Sequence, residues 1–339
     1  MSTNPFKNFV AFMVNDEALK WLKDFNTDSS HDQAAFNDYE AIEPGKTSWR
    51  TIGLTQPDVN EPSVFVQDVG DEGQLLTMKL QERVLPGSVI KEALNKKIAA
   101  LTAEQGRKPN KKTIMEMKEE IVFDLLPHSH IRKATIPVLF MAPYLFVFST
   151  SMKRVDEVTA LLRGAIETVS SSTTGRVIPQ FFAIQTRIPL LSGLTTVARD
   201  QGGDYDQFHP HNAGTFVGES KRTIKVKDRD IDAHEIQQLF KQDYQASELE
   251  MCYWAEHTLR EDVPTLVVKV NDKMHFKGVH LPDAQAVSVR SGGDGESLDD
   301  IGMLWLVART YRQMVNDFIS EVGGGLMVEA AGADDEDEL

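Results

Sequence analysis

The run Arg107-Lys108-Pro109-Asn110-Lys111-Lys112 most constrains this chain, because it forces a break between two stretches of helical periodicity. Proline lacks the N–H that a continuous helix needs, and asparagine favours turns. Upstream, Ile90, Leu94, Ile98 and Leu101 fall on one stripe behind Ser88, the expected N-cap. Gly106 ends that arm. Downstream, Thr113 with Glu116 reads as a capping box, and Ile114, Met117, Ile121 and Leu125 line one face before Pro127 closes the arm. Pro86 to Lys133 is therefore read as a helical hairpin. Each arm runs about 14 to 18 residues, which at about 1.5 Å per residue sets the turn about 20 to 27 Å from the base. Four of the six turn residues are cationic, so the tip suits a polyanion better than a small substrate.

The charge balance sharpens that reading. The formal net charge is -15, yet residues 91–112 hold seven Lys/Arg against two Glu. Residues 221–229 hold five Lys/Arg against Asp228 alone, whereas residues 1–75 hold five basic and thirteen acidic side chains. Segregated charge focuses a positive surface on an acidic body. The candidate phosphate contacts are Lys91, Lys97, Arg107, Lys108, Lys111 and Lys112 in the first segment, and Lys225, Lys227 and Arg229 in the second. The competing reading is that these cations only solvate their surfaces.

At 339 residues the chain exceeds one average domain. No apolar run reaches the roughly 18 residues that span a bilayer, so no membrane partner is expected. No signal-peptide core is evident, and the single Cys252 reads as a buried core thiol in a reducing cytosol.

The rest of the chain alternates strand and helix patterns. Residues 6–14 read as an apolar strand, 15–60 as polar and loop-rich around a short helix at Ala18 to Phe25, and Val64 to Val69 with Leu75 to Leu80 as paired strands. Ile136 to Met141 and Leu145 to Ser149 read as a β-hairpin before an amphipathic helix from Met152 to Val169. The run Ser170-Ser171-Ser172-Thr173-Thr174-Gly175 reads as a linker. Beyond it come a strand at Val177 to Gln185, a helix at Leu194 to Arg199, and an irregular loop at Gly202 to Gly214. A strand at Thr223 to Lys227 and a helix capped at Asp232 follow, then strands at Leu249 to Trp254 and Leu266 to Val270, and a long helix from Ser297 to about Val322. Asp334 to Glu338 form an acidic tail expected to be disordered.

Enzyme signatures fail. Ser291-Gly292-Gly293-Asp294-Gly295 lacks the Lys and Ser/Thr of a phosphate loop and reads as a turn. His209 and His211 form a pair two apart without a third ligand of diagnostic spacing. His234-Glu235 begins a zinc-protease pattern, but position 238 is Gln. Glu116-Met117-Lys118 has the spacing of a nuclease element, yet it lies on an expected helix without an upstream Asp to complete it. No catalytic residue, metal or cofactor is assigned.

The hairpin and its flanks resemble the bacterial recombination-associated RdgC family. The likeness rests on Leu85-Pro86, Ser88-Val89-Ile90-Lys91, Ala93-Leu94, Lys97-Ile98, Ala103-Glu104-Gln105 and Arg107-Lys108. It continues through Leu125-Leu126-Pro127, Thr159-Ala160-Leu161-Leu162-Arg163 and, at the start, Phe6-Lys7-Asn8. It extends over roughly residues 5–325 and is densest from Val84 to Val169. The resemblance implies an α+β fold of mixed sheets with a protruding helical hairpin, assembling as a ring-shaped dimer around double-stranded DNA. It also implies a non-catalytic protein that needs no cofactor, restrains RecA, and resides with the nucleoid in the cytoplasm. Where the family has Arg and an aromatic after Leu-Leu-Pro, this chain has His128-Ser129-His130, which places His128 and His130 at an expected dimer contact. The implied organisation is a central domain of residues 1–82 and 134–175, the hairpin at 83–133, a C-terminal domain at 176–326 and the tail at 327–339. The alternative is an acidic adaptor for recombination proteins with weak DNA binding; a nuclease is a third reading.

Overall fold

The apolar run near the start of the chain becomes the central strand of a sheet. In the computed structural model, residues 5–57, 64–70, 73–173, 175–200, 205–231, 233–256, 263–280 and 300–327 are described. The expected turn at Ser291–Gly295, the cap at Asp232 and the acidic tail lie outside them. The chain divides into two compact units: Met1–Thr27, Val66–Leu75 and Pro137–Leu339 in one, Asp28–Phe65 and Leu76–Ile136 in the other. The fold is mixed α+β with antiparallel strand pairing, as the sequence implied.

In the larger unit, β1 (Phe9–Val14) is paired along both edges. One edge takes β6 (Tyr144–Val147), with Val10 opposite Val147. The other is shared by β12 (His275–His280), with Phe9 opposite Phe276, and by β7 (Phe181–Ala183). The order continues through β11 (Leu266–Asn271), β10 (Gln245–Tyr253) and β8 (Phe208–Val217) to the edge strand β9 (Thr223–Val226). Along β10, Leu249, Met251 and Tyr253 are buried while Glu248 and Glu250 are only half-buried, the two-residue alternation of a sheet with one wet face. The long C-terminal helix, Asp300–Glu321, buries Tyr311, Met314, Val315 and Phe318 in the same core. Phe9 stacks on Phe276 at 4.7 Å and on Tyr311 at 4.9 Å, and Phe318 meets Phe208 edge-on at 5.4 Å. Buried hydroxyls find partners on this helix: Tyr253 donates to Asp317 at 2.6 Å and Tyr144 to Asn316 at 2.6 Å.

Several sequence expectations are corrected here. The serine-rich run is not a linker, because the helix Met152–Thr173 continues through it. Its hydroxyls bond back to the helix: Ser170 and Ser171 donate to the Glu167 carbonyl, and Ser172 and Thr173 to that of Val169. The expected loop at 202–214 contains the first seven of the ten residues of β8, and the expected strand at 177–185 shortens to β7. Between residues 15 and 60 lies an unforeseen strand, β2 (Arg50–Thr55). The helix His234–Phe240 is capped by Ala233 through backbone geometry, with no side-chain cap bond. Among the described residues, no helix is long and apolar enough to cross a membrane.

The smaller unit is built on β2 and β4 (Gly73–Val84), which runs in from the larger unit and pairs Glu82 with Arg50 and Thr77 with Thr55. β5 (His130–Met141) lies beside β4, and β3 (Val66–Gly70), which belongs to the larger unit, pairs with β4. Residues 40–42 run along β2, with Ala41 N–H donating to Leu54 O at 2.7 Å and Thr51 Oγ1 to Ile42 O at 2.6 Å. Gly53 permits that approach: a Cβ there would lie 2.6 Å from Ala41 Cα. In chain order the helices are α1 (Asp16–Asp24), α2 (Ser30–Ala34), α3 (Gly87–Gln105), α4 (Lys111–Leu125), α5 (Met152–Thr173), α6 (Leu190–Arg199), α7 (His234–Phe240) and α8 (Asp300–Glu321).

Candidate nucleic-acid interface

The turn between α3 and α4 is fixed by caps on both sides. Gly106 takes a left-handed φ of 69° and its N–H donates to Thr102 O at 2.9 Å, ending α3. Asn110 caps α4, its side chain accepting from Thr113 N–H at 2.8 Å. The expected caps therefore shift: Pro86 precedes α3 in place of Ser88, and Asn110 takes the role expected of Thr113. The proline fits because the N-cap's extended backbone is near its natural φ. Asn110 wins because its carbonyl oxygen reaches the third helical N–H directly.

Between these caps Arg107, Lys108, Lys111 and Lys112 are brought together and all are exposed. Lys112 has Glu116 at 3.9 Å, whereas Arg107, Lys108 and Lys111 make no ion pair among the described residues. Lys111 and Lys112 stand in the first turn of α4, which carries no acidic residue. Cations there oppose the positive end of the helix dipole, a cost of about 0.3–1 kcal/mol each at low salt. A bound anion offsets that cost. Further down the pair, Lys91 is exposed, but Lys97 is engaged across the helices by Glu120 at 2.6 Å. Met117 and Ile121 of α4 are buried and no residue of α3 is.

Lys225, Lys227 and Arg229 belong to the larger unit. Lys225 lies on the edge strand β9 opposite Thr215, and Lys227 follows it; both are exposed. Arg229 has Glu235 at 3.7 Å, and its N–H donates to Asn212 O at 3.0 Å. Asp228 between them adopts a left-handed φ of 54°. Sequence reading missed three other groups on this sheet. Glu250 contacts both His211 at 3.2 Å and Lys269 at 3.4 Å, and Glu248 contacts Lys277 at 2.5 Å. Only strand register could have found them: two carboxylates face two lysines and a histidine. His128 ends a short 3-10 turn and His130 begins β5; both are exposed.

Net charge divides sharply between the units. Residues 28–65 and 76–136 hold fourteen Lys/Arg and fourteen Asp/Glu, so the whole -15 belongs to the other unit. Among the described residues no three His, Cys, Asp or Glu side chains are grouped to hold a metal. His209 packs edge-on to Trp254 at 5.3 Å, and Gln238 lies 3.0 Å from His234. Cys252 is free and buried, its thiol pushed up to about 11 by burial and by Glu250.

An antiparallel-sheet α+β protein with a basic turn between two capped helices defines the class. The model of the family described as "Putative exonuclease, RdgC" matches residues 6–182, and the chain belongs to the RdgC family. Similar proteins carry the name recombination-associated protein RdgC. One from Pseudomonas aeruginosa is 29% identical over 164 residues, 48% of this chain and 51% of the relative. One from Shewanella halifaxensis is 26% identical over 235 residues, 68% of this chain and 71% of that protein, and one from Shewanella sediminis is 31% identical over 163 residues, 48% of this chain and 51% of the relative. The matched part of this chain spans about half the length of the first of these relatives.

Proposed function

We propose that this protein is a non-catalytic, sequence-non-specific double-stranded DNA-binding protein, a ring-shaped homodimeric clamp that modulates homologous recombination by restraining RecA. The observation that carries the reading is the tip itself: four exposed cations, three without an ion pair among the described residues and two set against their own helix dipole. Residues 83–133 then act as a protruding arm with its tip on phosphates, and Lys225, Lys227 and Arg229 form a second contact. Affinity comes from counterion release with few base-edge contacts. His128 and His130 are assigned to a dimer contact, and the compartment is the nucleoid of the cytoplasm. The relatives' name supports the recombination setting. The acidity of the larger unit supports a second reading, an adaptor for recombination proteins with weak DNA binding.

A salt titration on a random duplex decides between them. The clamp gives a steep fall of log affinity with log salt, to which each neutralised phosphate contributes about 0.9. Changing Arg107, Lys108, Lys111 and Lys112 together to Ala flattens the slope by up to about 3 to 4 units per chain. Solution mass read on the same variant stays dimeric. A shallow wild-type slope favours the adaptor, and an intact dimer with unaltered slope removes the tip from the DNA site. An end-labelled duplex shortened in the same mixture overturns the non-catalytic reading.

A further inference from the structure

The helix pair is rooted by one guanidinium. Arg83 is the penultimate residue of β4, three residues before the cap of α3. Its Nη1 donates to the carbonyls of Leu126 at 3.2 Å, Pro127 at 3.2 Å and Ser129 at 3.4 Å. Its Nη2 donates to Pro44 O at 2.9 Å, and its backbone N–H to Trp49 O at 2.8 Å. The chain entering the helix pair is thus bonded to the chain leaving it and to the 40–49 segment. The same carbonyls end α4 and its 3-10 extension, where the helix dipole favours a cation. Only a rigid fork reaches several acceptors in different directions at once; a lysine presents one point charge. Neighbouring pairs reinforce the root. Lys133 lies 3.0 Å from Glu43 and holds its carboxyl below the usual range, with Arg83 and Lys79 adding to the effect, and Arg132 lies 2.7 Å from Glu82.

The geometry points to Arg83 as a positioning residue that sets the direction of α3 and α4 from the strands, and so the place of the basic tip. Its functional half rests on the DNA-clamp reading. A tilt of about 10° at the root moves a tip about 25 Å away by about 4 Å, more than a hydrogen-bond length. Tip cations left intact but mis-aimed then lose their phosphates.

The test compares full-length Arg83→Met, Arg83→Lys, the four-residue tip variant and the Arg83→Met/tip combination, by salt titration on a random duplex. Arg83→Met is expected to weaken binding at least about tenfold at low salt and to bring its salt slope to that of the tip variant. The combination then adds little, because both changes remove one contact. Arg83→Lys recovers part of the loss. Equal thermal midpoints with an unchanged slope, or losses that multiply, overturn the inference. Should Arg83→Met not fold, the slope of Arg83→Lys alone decides: it must fall between wild type and the tip variant. If the wild type shows no salt-dependent binding, the DNA reading fails by itself. Amide exchange then judges the root: faster exchange at residues 122–129 of Arg83→Lys, with β10 unchanged, sustains it, and identical exchange removes it.

Discussion

His275 shows how one buried ring links sequence to pH. It sits on β12 opposite Val10, is 8% exposed, and its Nε2 has no hydrogen-bond partner among the described residues. Burial pushes its pKa down; Lys277 and Lys273 add to this and Glu248 opposes it. The folded state therefore holds the neutral ring, while the unfolded chain takes up a proton near the ordinary value of about 6.5. Stability from this residue is present above that pH and is lost as pH falls below it toward the depressed folded value. His275→Leu is expected to flatten the fall of the thermal midpoint between about pH 7.5 and 5.5; profiles parallel to wild type count against the assignment. At this scale the sequence exposes residue types and conceals pairing. Lys97 and Arg107 carry the same charge in the sequence, yet one faces Glu120 and the other has no counter-ion among the described residues. Arg83 carried no signal, because its acceptors are backbone carbonyls more than 38 residues away.

Elements with strong periodicity were legible, and those held by neighbours were not. The stripes of α3, α4, α5 and α8 are written at helical spacing, and the faces of β10 and β11 at the two-residue spacing of strands. β8 contains Pro210, Asn212 and Gly214, residues that disfavour strands, and it pairs with β10 across two register shifts, between Ala246 and Glu248 and between Leu249 and Met251. β2 was hidden in a polar stretch because its edge is covered by residues 40–42, a contact absent from local pattern. Gly53 is the condition for that cover. Gly53→Ala drives a methyl against the Ala41 backbone and is expected to cost about 1–3 kcal/mol, read as a lower urea midpoint. An unchanged midpoint means the segment shifts aside freely and contributes little.

On the scale of the whole molecule, charge is the organising quantity. The smaller unit is neutral in sum, yet it carries the uncompensated tip, while the larger unit holds the entire negative balance. A net negative charge opposes the approach of a polyanion, and gathered cations favour it locally. Residues 329–339 carry six carboxylates and no base, so deleting them changes the formal charge from -15 to -9. A tethered polyanion competes with phosphates for the same cations, and its field reaches about 10 Å at 0.1 M salt but about 3 Å at 1 M. On the DNA-clamp reading, deletion is therefore expected to tighten DNA binding at low salt, with the two affinities converging as salt rises. On that reading the untouched tip keeps its number of phosphate contacts, while a salt-sensitive competitor is removed. The truncated chain thus shows the steeper salt dependence. Equal or weaker binding by the truncated chain at low salt removes the tail from the interaction and leaves the basic segments as the sole electrostatic control.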